Sequence, residues 1–174
     1  MAKRSRNRYR EMESMMMKIL IGADKGGYAV KEAIALHLQE LGMEYEDIGI
    51  HSMDKPIPFT ELASEAGRRI RDGEAERAVL VCGTGMGMAI TANKFKGVRA
   101  AVVESQYAAM YSRKINDANV LCLGGFIVGA TMACEIVDTF LETEFVEDFP
   151  QWRVDFLNSQ KAALAEIEDR NFKD

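Results

Sequence analysis

The chain has 174 residues, of which 48% are apolar, and this suits one domain of ordinary size with a proper core. It holds no apolar run of 18 residues, which excludes a membrane span, and no start of the secretory type is recognised. The net charge is −5, but Lys3, Arg4, Arg6, Arg8 and Arg10 outweigh Glu11 and Glu13 at the front, leaving an acidic body that argues against nucleic acid as the main partner.

Residues 1–16 are expected to be a disordered basic leader, and residues 17–174 a single domain. "MKILIGAD" reads as a buried strand, bounded by Gly and Asp. Val30, Ile34, Leu38 and Leu41 then recur at helical spacing, with Gly42 as the stop. "EYEDIGI" is a second strand, and "HSMDKPIP" a loop. "FTELASEAGRRIRDG" is a helix whose inner face carries Leu62, Ala66 and Ile70. "RAVLVCG" is a third strand, "MGMAITANKF" a short helix, and "GVRAAVVE" a fourth strand. "SQYAAMYSRKIND" is a helix with Ser105 as its N-cap. "ANVLCLGG" is the fifth strand, followed by the long helix "IVGATMACEIVDTFLET". A last helix covers about 150–172, with Pro150 in its first turn. This alternation predicts an α/β fold: a doubly wound, five-stranded parallel sheet with helices on both faces and an extra C-terminal helix. An appended helix of this kind suggests packing on a second copy.

In such sheets ligands bind at the carboxyl ends of the strands. Those ends carry Ala23–Asp24–Lys25, Cys82–Gly83–Thr84, Glu104–Ser105 and Gly124–Gly125–Phe126. The glycine loop "CGTGMG" is not the dinucleotide fingerprint G-x-G-x-x-G, because Met88 stands where the last glycine belongs and the loop follows the third strand. A phosphate-binding P-loop is also absent. What remains is an anion hole of backbone N–H groups at a strand-to-helix turn, suited to a phosphate, a carboxylate or a transient enediolate.

Cys82 sits beside that hole. It reads either as a small buried apolar residue or as a nucleophile or base whose thiolate the N–H groups stabilise, and its position favours the second. Cys122 and Cys134 read as structural. The three cysteines form no disulfide framework and no metal spacing, which fits free thiols in a reducing cytoplasm. Asp24 reads equally as a helix N-cap or as a group handling substrate hydroxyls or protons. Lys25 is an exposed cation or an anchor for an anionic substrate. "NDAN", residues 116–119, is a turn, and His37 and His51 read as structural.

"GAD-GG", "VCGTGMGMAITANKFKGVRAAV" and "SRKINDANVLCLGG", extended by "EIVDTFLETEF…QWRVD", resemble the type B ribose-5-phosphate isomerase and galactose-6-phosphate isomerase family over about residues 17–158. The resemblance implies a Rossmann-like homodimer, or a dimer of dimers, with no metal or cofactor. It implies aldose–ketose isomerisation of a sugar or sugar phosphate through a cis-enediolate. In that scheme Cys82 is the base, acting with Asp24, which handles the hydroxyls, and Thr84. Gly83, Thr84, Gly85 and Gly87 hold the enediolate oxygens, while Asn116, Lys25 and Arg153 bind substrate.

The chain also departs from the family pattern. Lys25 and Ile115 stand where histidines tied to sugar-ring opening are usual. Phe126, Phe149 and Pro150 stand where basic residues are usual, and of the phosphate-binding set only Arg153 remains. The expected substrate is therefore short or open-chain, with a far end smaller or less charged than a phosphate and shaped by Phe126, Phe149 and Trp152. The rival readings are a catalytically inactive sugar-binding or regulatory subunit of a mixed oligomer, and a flavodoxin-like nucleotide-binding module.

Overall fold

The structure is a computed structural model that describes residues 18–172; the expected leader lies outside the described residues. Strands β1 (Ile19–Ala23), β3 (Arg77–Cys82) and β5 (Val120–Gly124) are buried at every residue, as near-continuous apolar runs require when both sheet faces are covered. The shorter β2 (Tyr45–Asp47) and β4 (Ala100–Val102) are only partly buried and form the edges. All pairings are parallel, and the order is β2-β1-β3-β5-β4. The chain winds outward from β1 to β2, then crosses to β3, so the topological switch point lies between β1 and β3.

The helices are α1 (Tyr28–Glu40), α2 (Phe59–Arg71), α3 (Met86–Ala92), α4 (Gln106–Lys114), α5 (Ala130–Glu142) and α6 (Gln151–Asn171). Alternation along each strand divides the core into two. Ile19, Ile21, Val79, Val81, Leu121 and Leu123 face α1, α4 and α5, while Leu20, Ala78, Leu80, Cys82, Val120 and Cys122 face α2 and α3. The doubly wound, two-faced sheet is as expected.

Local signals also hold. Ser105 caps α4 by accepting the Ala108 N–H at 3.2 Å. Pro150 is the N-cap of α6 and so stands one residue before its first turn. His37, read as structural, is 2.7 Å from Asp138 through Nε2 and joins α1 to α5. Lys31 is buried, although nothing in its local sequence pattern marks it as such. It is fully inaccessible and holds Asp47 at 2.5 Å, Glu32 at 2.6 Å and the Ile50 carbonyl at 3.0 Å. It thereby fixes the segment that runs out of β2.

Helix α6 is about 31 Å long. Leu157 is its one buried residue among those described, and Trp152, Phe156, Leu164 and Ile167 are exposed. Polar ties attach it to the body, from Lys161 to Asp117 at 2.6 Å and from Glu168 to the Gly97 N–H at 3.1 Å.

Candidate active site

Three loops meet at the carboxyl end of β1, β3 and β5, and they meet through backbone. A Cβ at Gly26 would lie 2.7 Å from the Gly83 nitrogen, and one at Gly125 would overlap the Gly26 carbonyl oxygen. Only glycine permits loops 24–27, 82–87 and 124–128 to touch in this way. The Gly125 N–H donates to the Cys82 carbonyl at 2.7 Å, and the Phe126 N–H to the Gly83 carbonyl at 3.0 Å. The Asp24 N–H donates to the Val81 carbonyl at 3.3 Å.

Cys82 ends β3 with its thiol turned toward the glycine loop. The Gly85 N–H donates to its Sγ at 3.1 Å, and Gly85 adopts φ +75°, a left-handed conformation that glycine takes without strain. The Gly83 and Thr84 N–H groups donate to no acceptor among the described residues. Thr84 is exposed, and its Oγ1 accepts the Met86 N–H at 3.4 Å. The loop thus points one backbone donor at the sulfur and leaves two more beside it.

Asp24 is half-buried. Its Oδ1 accepts from the Gly26 N–H at 2.8 Å and the Gly27 N–H at 3.2 Å, so it braces the turn before α1, whose N-cap is Gly27. Oδ2 has no hydrogen-bond partner among the described residues. The N-cap reading of Asp24 therefore does not hold, since Gly27 is the cap and the carboxylate instead braces the turn that precedes it. Lys25 is exposed, and it is the one cation in the three loops. Cys122 stands on the same sheet face as Cys82 but is fully buried; burial first, and then the neighbouring Cys82, pushes its thiol far up. Burial likewise pushes the Cys134 thiol up, and its Sγ rests 3.8 Å from the Ala33 carbonyl.

Cys82, Gly83, Thr84, Gly85, Gly87, Asp24 and Lys25 all belong to this end of the sheet. Asn116 and Arg153 do not. Asn116 is exposed just past α4, ahead of β5, and Cys82 is paired with Gly124 at that strand's other end. The strand alone separates the two levels by about 13 Å. Arg153 lies on the Phe149 ring at 4.1 Å, and Lys114, the last residue of α4, lies 5.6 Å from the same ring. Phe149 and Arg153 are thus grouped with the amino end of the sheet. "NDAN" is a turn, as read, but a structured one. Asp117 has φ +48° and binds Arg99, Arg113 and Lys161, while Asn119 holds the Arg99 N–H and the Gly97 carbonyl.

Two aromatic contacts were not legible in the sequence. Phe126 lies against Gly83, and Phe59, from the first position of α2, lies against Gly87. Phe59 is 23 residues before Cys82, and no spacing rule links it to the loop. No group of three or more His, Cys, Asp or Glu side chains is arranged to hold a metal among the described residues. No described helix is long and apolar enough to cross a membrane.

Comparison with known proteins matches this arrangement to one family. The Ribose/Galactose Isomerase family model fits residues 19–157. The 4-deoxy-4-sulfo-D-erythrose isomerase of Clostridium sp. (strain MSTE9) is 48% identical over 157 residues, covering 90% of this chain and 99% of that protein. Ribose-5-phosphate isomerase B of Escherichia coli (strain K12) is 38% identical over 144 residues, covering 83% and 96%. Among solved structures, ribose-5-phosphate isomerase B of Clostridium thermocellum superposes with a TM-score of 0.80 at 38% identity, covering 88% of this chain and 99% of that one. The glycine loop at the end of β3, the parallel sheet that presents it and the match over nearly all of the described residues lead to one assignment: the chain belongs to the ribose/galactose isomerase family and is a sugar isomerase of the aldose–ketose type.

Proposed function

We propose that the substrate is an open-chain four-carbon sugar with a singly charged terminal group, of the 4-deoxy-4-sulfo-D-erythrose class, and that Cys82 is the base. The observation that carries this reading is the Cys82 sulfur receiving the Gly85 N–H at 3.1 Å in a site whose three loops hold one cation, Lys25. The thiolate takes the proton from C2 of the aldehyde form, and the enediolate oxygens receive the free N–H groups of Gly83 and Thr84. The O2 hydroxyl proton passes to O1 and the carbon-bound proton returns at C1, which gives the ketose. Asp24 Oδ2 holds a substrate hydroxyl, and the Thr84 hydroxyl supports the oxygen that changes charge.

Ring chemistry supports the substrate class. A sugar whose C4 carries a sulfonate in place of a hydroxyl has no oxygen there to close a five-membered ring. No acid is needed to open it, which agrees with Lys25 and Ile115 at the positions where the family resemblance implies histidines. A sulfonate carries one charge, whereas a phosphate monoester carries about −1.5 to −2 at pH 7. One lysine suits the former better. The most similar of the relatives described above bears the sulfo-erythrose name, which points the same way.

We further place Asn116 and Arg153 in the site of a second copy, since a single chain holds them at the opposite end of the sheet. The exposed Trp152 and Phe156 on α6 supply apolar surface for such a homodimer. The free thiol at Cys82 fits a reducing cytoplasm.

The test is isomerisation of 4-deoxy-4-sulfo-D-erythrose in D2O, with D-ribose 5-phosphate alongside. The expected result is deuterium in the product, turnover of the sulfonate at kcat/KM of about 10⁴ M⁻¹s⁻¹ or more, and at least a tenfold preference for it. Efficient turnover of ribose 5-phosphate would overturn the substrate class. Binding without exchange would favour the inactive regulatory subunit instead.

A further inference from the structure

We infer that Phe126 limits the size and charge of the group at the far end of the substrate; this rests on the reading of the site just given. Phe126 joins a fixed backbone to an exposed side chain. Its backbone is fixed to the catalytic loop, because its N–H donates to the Gly83 carbonyl at 3.0 Å and the preceding Gly125 N–H donates to the Cys82 carbonyl at 2.7 Å. Its side chain is nevertheless 79% exposed, more than any other large apolar side chain described.

A Cβ at Gly83 would fall 2.6 Å from its Cε2 and 2.9 Å from its Cδ2, so one side of the ring lies on the glycine and the rest faces solvent. Phe59 repeats the arrangement at the other end of the loop, where a Cβ at Gly87 would fall 2.7 Å from its Cε2. The Thr84–Gly85 backbone, with the sulfur beneath it, therefore lies between two aromatic rings. A substrate seated on the loop meets the exposed part of Phe126 with whatever part of it extends past Gly83.

A phenyl ring can donate no hydrogen bond, and its face carries the negative end of the ring quadrupole. A terminal dianion placed there would lose water against a surface that offers it no donor, and burying charge without partners is costly. A singly charged, more weakly hydrated group on a shorter chain avoids most of that cost. The ring thus acts as a wall that rejects terminal dianions and longer sugars, and it does so without touching the reacting carbons.

The experiment compares kcat/KM for 4-deoxy-4-sulfo-D-erythrose and D-erythrose 4-phosphate, two open-chain sugars of equal carbon number, in the wild type, Phe126→Ala, Phe126→Leu and Phe126→Lys. Ribose 5-phosphate reports on length. The sulfonate-to-phosphate ratio is expected to fall about tenfold in Phe126→Ala and further in Phe126→Lys, through KM for the phosphate, with Phe126→Leu between wild type and alanine. Thermal melting checks that each variant is folded. A wild type that prefers the sulfonate, with a ratio unchanged within about twofold in both the alanine and lysine variants, would overturn this inference and leave the proposed substrate standing. A wild type that prefers the phosphate would overturn both.

Discussion

The two ends of the sheet are built on opposite plans. At the carboxyl end, loops touch glycine to glycine, and their exposed side chains are Lys25, Thr84, Met86, Phe126 and Ile127, with one half-buried carboxylate, Asp24. At the amino end, charged side chains do the joining. Asp117 receives Arg99 at 3.0 Å, Arg113 at 2.8 Å and Lys161 at 2.6 Å, and Arg113 is 3% exposed, with its ring-facing side on Phe140. Arg77 is also buried there, and burial first, then the Arg113 charge, pushes it down to about 10. Backbone contacts leave donors free for a ligand, whereas an ion network consumes its donors internally. The end proposed to bind is therefore the end with little side-chain structure, and the end that holds α6 is the end with much.

The contrast is sharpest if each end is broken alone. Cys82→Ala is expected to lower kcat by at least about 10³-fold, because the proposed proton transfer loses its base. It should leave the melting temperature within a few degrees, since the substitution removes one heavy atom and one hydrogen bond to sulfur. Deuterium exchange and calorimetry on the same sample check both halves. Asp117→Ala is expected to do the reverse. It strips a buried arginine of its carboxylate and should cost about 3–5 kcal/mol of stability.

Asp117 also sets a pH dependence. Burial raises its carboxyl, but the Lys161 hydrogen bond and the Arg113 and Arg99 charges outweigh that and hold it below the usual range. A carboxylate lowered in the folded state contributes stability above its unfolded value of about 3.9, and that contribution is lost as the pH falls through the lower folded value. Denaturant titrations from pH 7 down to pH 2 should show this loss in the wild type and a smaller one in Asp117→Asn. Equal acid sensitivity in both would remove Asp117 from the account.

The same division explains what the sequence made legible. The buried strands, the helix stops and the Ser105 cap follow from local patterns, and the structure has them where expected. Cys82 and its glycines were legible because a strand tip followed by glycines is itself a local signal. The contacts of Phe126 and Phe59 with those glycines were not, since they depend on how separate loops pack. Neither was the burial of Lys31, because a lysine beside Val30 reads as a solvated side chain until Asp47 and the Ile50 carbonyl come into place around it. Asn116 and Arg153 were assigned to the site by resemblance, and a single chain leaves them at the far end.

Two glycine substitutions give the finest comparison. Gly125→Ala places a methyl against the Gly26 carbonyl at the junction of two site loops and should cost about 1–3 kcal/mol through overpacking, with a loss of kcat because loop 82–87 hangs on the same contacts. Gly73 ends α2 with φ +72° and has open space around it, nothing lying within 4 Å of a Cβ there. Gly73→Ala therefore isolates the backbone preference for glycine in the left-handed region. The expected cost is about 1 kcal/mol, with kcat unchanged. A calorimetric shift of only a few degrees for Gly73→Ala and a larger one for Gly125→Ala would separate conformational glycines from contact glycines. Equal shifts would mean that the loop junction relaxes around the added methyl, and that the carboxyl end is less tightly built than its backbone contacts imply.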